Sequence, residues 1–106
     1  MYRGASALDP EKLEDFLSLL IERYGADMLR YKGVLDIAGH DERVVFQGVH
    51  AMFGSEPGAR WVEGEKRESM LVFIGRDLPA AVFLRGLALC AAESSEDPAS
   101  VLRAVA

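Results

Sequence analysis

An α+β fold in two layers, a mainly antiparallel sheet with helices on one face in β-α-β-β-β-α order, is what three features of the sequence predict. A capped segment of helical period lies near the start. Two segments of period two follow, joined by a short polar turn. A third apolar run of strand length then leads into a second helical segment.

In chain order, Tyr2-Arg3-Gly4-Ala5-Ser6 reads either as a short edge strand or as a frayed end. As a strand it would pair in parallel with the strand after the first helix, through a right-handed crossover. Asp9-Pro10-Glu11 opens that helix: Asp9 suits the N-cap, Pro10 the first helical position, and Glu11 the positive end of the dipole. Leu8 and Leu13 sit at the positions of a hydrophobic staple. Leu13, Phe16, Leu17, Leu20, Ile21 and Tyr24 repeat on one helical face, and Gly25 is placed to end the helix in a left-handed conformation.

From Leu29 the period changes to two, predicting a half-buried strand over residues 29–37 with Gly33 marking a bulge or a close approach. Residues 38–42 have turn composition, and residues 43–53 return as the second strand of a hairpin. Val44, Phe46, Gly48, His50 and Met52 share one face of it; Val45, Gln47, Val49, Ala51 and Phe53 share the other. Apolar residues on both faces predict a central strand. Residues 54–68, with Pro57 and Trp61, read as a long functional or mobile loop. Ser69-Met70-Leu71-Val72-Phe73-Ile74-Gly75 is the third meander strand. Asp77 and Pro79 punctuate the start of the second helix, whose sheet-facing side is Val82, Phe83, Gly86, Leu87 and Cys90. Beyond it, residues 93–106 read as a mobile tail or as a short last helix capped by Asp97 and Pro98 and reaching Val105.

The 106 residues make one domain, roughly 60 to 70% of whose unfolded surface is buried on folding. Half the residues are hydrophobic and 27% are charged, an ordinary globular balance. No apolar run approaches the roughly 20 residues of a membrane span and no signal-peptide pattern is present, so a cytoplasmic address is expected. A net charge of −5 argues against nucleic acid as a partner. Cys90, the single cysteine, lies in an apolar stretch and reads as a buried hydrophobe.

No catalytic signature is present: the sequence has no phosphate-binding Gly-Lys-Ser or Gly-Lys-Thr loop, no nucleophile elbow and no His-Glu-x-x-His. The chain by itself is therefore read as a non-enzyme without catalytic or cofactor-binding residues. His40, Asp41, Glu42, His50 and Cys90 include zinc-donor types, with His50 the candidate ligand, but adjacent residues in a turn rarely converge on one ion. Trp61 reads as a lid on the core edge or as a stacking surface. Arg30, Lys32 and Arg43, with Gln47 and His50, are placed on the sheet face left open by the helices, either as a solvated face or as an interaction surface.

Met28-Leu29-Arg30-Tyr31-Lys32-Gly33-Val34-Leu35, then Val45-Phe46-Gln47-Gly48-Val49-His50-Ala51-Met52-Phe53, then Trp61, then Leu71-Val72-Phe73-Ile74-Gly75-Arg76-Asp77-Leu78 form a set. In order and spacing, from about Leu8 to Cys90, that set resembles the C-terminal domain of the CobW family. The resemblance implies a fragment of a two-domain P-loop GTPase, similar to nickel chaperones, in a family implicated in cobalamin synthesis and metal (zinc or cobalt) handling. GTP and metal would belong to the N-terminal GTPase domain, whose phosphate loop and Cys-x-Cys-Cys motif have no counterpart in these residues. This chain would be the accessory domain, with the GTPase domain and a metalloprotein client as partners; a direct metal- or small-ligand module using His50 is the alternative. Pro79 departs from the small or acidic residue usual at that point in the family.

Overall fold

The computed structural model describes residues 1–103. Local signals set the first helix as expected. The Asp9 carboxylate accepts from the backbone N–H of Glu11 (2.9 Å) and of Lys12 (3.1 Å), starting α1 (Pro10–Tyr24). Leu13, Phe16, Leu17 and Leu20 form its buried face. The end of α1 differs from expectation: Gly25 has φ −52 and is right-handed, because the chain tightens into a 3-10 turn, Gly25–Asp27, that delivers it to the sheet.

β1 (Tyr2–Gly4), β2 (Met28–Leu35), β3 (Glu42–Val49), β4 (Met52–Arg60) and β5 (Ser69–Gly75) build one sheet in the order β1-β5-β2-β3-β4. Every neighbouring pair is antiparallel. The expected parallel pairing of the first strand is thus corrected: β5 inserts between β1 and β2 and takes up the β1 ladder, and the parallel contact shrinks to an isolated bridge between Leu8 and Ile37.

The larger correction concerns residues 43–68. The strand expected over residues 43–53 stops at Val49, turns through His50 and Ala51, and returns as β4 along residues expected to be loop. His50 holds the turn with φ 52, a conformation histidine tolerates better than most non-glycine residues. Its N–H donates to the Met28 carbonyl (2.9 Å) and its carbonyl accepts from the Tyr31 hydroxyl (2.7 Å). Reversal at the turn also swaps the side-chain parity: Phe53 pairs beside Gly48 and its ring packs on Phe46 at 5.6 Å, whereas an unbroken strand would put the two on opposite faces.

α2 (Ala80–Leu89) starts directly after Pro79 without a side-chain cap. It crosses α1 where Gly86 meets Phe16; any Cβ at Gly86 would overlap the phenylalanine ring. A row of aromatic contacts ties the layers together: Phe46 to Tyr31 at 5.7 Å, Tyr31 to Phe73 at 5.8 Å, and Phe73 edge-on to Phe83 of α2 at 4.9 Å. Tyr31 lies over Gly48, where a side chain would collide with it. The shortest dimension, 19 Å, is that of two layers. Within the expected tail, α3 (Ala99–Arg103) is capped by Asp97 and buries Val101 and Leu102; the expected continuation to Val105 lies outside the described residues.

Candidate interaction surface

Alternation along β2 sends Tyr31 and Leu35 toward the helices and Arg30, Lys32 and Val34 to the opposite face. Register assembles the rest of that open face. Lys32 lies between Val72 of β5 and Gln47 of β3, Val34 between Met70 and Val45, and Arg30 beside Ile74. The result is a β-branched stripe interrupted by cations. Ile74 is 57% and Val49 53% exposed, and among the described residues Arg30 and Lys32 take part in no ion pair.

Arg43 behaves differently from the two cations with which the sequence grouped it. Its guanidinium lies 4.2 Å from the Trp61 ring centroid, pairs with Glu65 at 2.7 Å, and donates to the carbonyls of Ala59 (3.3 Å) and Arg60 (3.0 Å). Glu65 also accepts from the Val62 N–H at 2.5 Å; this bond, and then the Arg43 charge, hold its carboxyl below the usual carboxylate range. Arg43 and Trp61 thus clamp the segment after β4 against the sheet, at one end of the open face. The indole N–H of Trp61 is buried and unpartnered. Sequence reasoning had no access to Glu65, whose partner lies 22 residues away.

His50 sits on the β3–β4 turn with its Nδ1 3.3 Å from the Gly25 carbonyl, so it is not a strand member beside Arg30 and Lys32 on the open face as expected. Among the described residues no three His, Cys, Asp or Glu side chains come together, and His50 has no clustered co-ligand. Cys90 is fully buried, its thiol bonded to the Gly86 carbonyl at 3.3 Å, and burial pushes its pKa up to about 12, so it is a poor nucleophile at neutral pH. Burial likewise raises the Tyr31 hydroxyl. No helix among the described residues is long and apolar enough to cross a membrane.

The arrangement suits binding: an exposed, half-apolar sheet face with two cations that are unpaired among the described residues, and a clamped end. Comparison with known proteins gives it a context. The family model described as the cobalamin synthesis protein cobW C-terminal domain matches residues 1–91. The zinc chaperone YjiA of Escherichia coli (strain K12) is 44% identical over 63 residues, covering 58% of this chain and 19% of that protein. The zinc chaperone CobW of Pseudomonas aeruginosa is 36% identical over 75 residues, covering 71% of this chain and 20% of that protein. A crystal structure of the zinc-bound YjiA GTPase from E. coli matches with a TM-score of 0.71 at 32% identity, over 74% of this chain and 24% of that one. The chain therefore spans about a fifth of the length of these curated relatives. With the family model matched across most of its length and the same fold found in a solved relative, the chain belongs to the family of CobW C-terminal domains.

Proposed function

We propose that this chain is the non-catalytic accessory and interaction domain of a longer CobW-like GTPase metallochaperone, acting in the cytoplasm in cobalamin synthesis or in zinc or cobalt homeostasis. Its open sheet face docks on the GTPase domain of the same protein, with a metalloprotein client as the other candidate partner. The observation that carries this reading is the stripe of exposed Val49 and Ile74 and half-buried Val72, crossed by Arg30 and Lys32, cations without an ion-pair partner among the described residues. Exposed apolar surface of this kind is characteristic of an interaction site. GTP is assigned to the GTPase domain, since no phosphate loop occurs in these residues. Zinc or cobalt, the cargo, is assigned there too, because no donor cluster forms among the described residues. No observation favours His50 as a ligand.

Arg43 is committed to Trp61 and Glu65, so the decisive substitutions are Arg30→Glu and Lys32→Glu together. Association with a separately expressed GTPase domain, followed by stopped-flow, should slow by roughly tenfold at low salt, and the difference should shrink as salt screens it. Equal rates for parent and variant across the salt series would overturn the reading.

A further inference from the structure

We propose that the groove between α1 and the β3–β4 hairpin is a second docking site, for an amphipathic helix with lysines or arginines flanking its apolar side, supplied by a separate protein. The groove lies on the helix side of the sheet, away from the open face. It exists because the helices leave the inner face of β4 uncovered: Phe46 is 3% exposed, but Phe53, tilted against it, is 44% exposed. A cavity of about 360 Å³ opens there, lined by Leu13, Glu14, Leu17, Phe46, Phe53 and Ser55.

That volume is at the small end of the roughly 300–1,000 Å³ of ligand pockets, and the lining is mostly aliphatic and aromatic, with Glu14, His40 and Ser55 its polar side chains. It suits the anchoring side chains of a helix lying beside α1 at the usual interaxial distance of about 8–10 Å. Charge specifies the occupant further. Glu11, Glu14, Asp15 and Glu22 on α1 form no ion pair among the described residues. Glu14 lines the groove, and Glu11, three residues earlier, is its neighbour on the helix surface. Lys12 cannot offset them, because its ammonium is directed to the carbonyls of Ala91 and Ser94. The site sits toward one edge of the sheet: β1 and β4 are opposite edges, four strand spacings or roughly 19 Å apart, and Phe53 and Ser55 of β4 line the groove.

The test uses a synthetic 18-residue helical peptide with leucines on one side and flanking lysines, and a counterpart with glutamate in place of every lysine. Backbone and methyl NMR of the 106-residue protein should show saturable binding of the lysine peptide. Shifts should move at Leu13, Leu17, Phe46 and Phe53, while Ile74 and the Trp61 indole stay still. Glu11→Lys with Glu14→Lys should weaken binding at least tenfold without altering the rest of the spectrum, and Ser55→Arg, on an exposed β4 position, should block it from the other wall. Equal binding of the two peptides, shifts on the open face, or no saturation would overturn the proposal. Concentration-dependent shifts at the groove without peptide would replace the separate protein by a second copy. Loss of the site on adding the GTPase domain would assign it to that domain. The peptide titrations use neither Arg30 nor Lys32, so their failure leaves the open-face reading standing.

Discussion

The two faces of this sheet both carry large apolar residues and end in opposite conditions. On the inner face Tyr31, Leu35, Phe46 and Leu71 are at most 3% exposed, packed under Phe16, Leu20, Phe83 and Leu87. On the outer face Val49 and Ile74 stay more than half in water. Aromatic residues such as those inside and β-branched ones such as those outside both suit a pleated surface, so strand-forming tendency does not distinguish the faces. The helices do, by covering one and not the other. Burial on the covered face supplies stability; the uncovered face holds apolar area in reserve, and the two roles can be probed separately.

The largest effect belongs to the covered face. Phe16→Ala empties the contact with Gly86 at the α1–α2 crossing and should cost about 3–5 kcal/mol, lowering the melting temperature by at least about 12 °C in thermal circular dichroism. A melting point near the parent's would show that the two layers are not held together there.

Next is the clamp at the end of the open face. Arg43→Glu removes the stacking on Trp61 and sets a carboxylate against Glu65, for an expected loss of about 1–2 kcal/mol and a red shift of Trp61 fluorescence as the ring becomes wetter. Arg43→Lys should fall between, since it keeps the charge but not the planar fork. If Arg43→Glu is neutral, the clamp belongs with the solvated cations after all.

A smaller, pH-dependent effect follows from Glu65. Its carboxyl titrates lower in the folded protein than its ordinary value of 4.5, so its contribution is complete above that value and is lost as pH falls through the folded one. Melting temperatures from about pH 6 to about pH 3 should therefore fall less steeply for Glu65→Gln than for the parent. Parallel curves would remove Glu65 from the clamp.

The smallest effect should come from the open face itself. Arg30→Glu with Lys32→Glu should leave stability within about 0.5 kcal/mol in urea unfolding, because neither side chain has an ion-pair partner among the described residues. A large loss would mean that the open face stabilises the isolated domain, and the contrast between the faces would fail.

The sequence by itself determined what short-range interactions decide. The start of α1 rests on Asp9 reaching N–H groups two and three residues on, its buried face on a repeat of three and four, and β5 on one unbroken apolar run. Arg30, Lys32 and Gln47 could be placed on one face for the same reason, since strand alternation is local. The CobW set of residues added a family that the match over residues 1–91 then showed. Only the tertiary structure decided the rest. Whether the chain turns at His50 depends on Met28 and Tyr31, which lie 22 and 19 residues earlier, and that turn alone converts an expected loop into β4 and brings Phe53 to the groove. Arg43 left the basic trio because Trp61 and Glu65 fold back over it. Pattern within a window fixes which way a side chain points; what it meets there is set by contacts between distant segments, whose loop-closure cost and ladder bonds no local window contains.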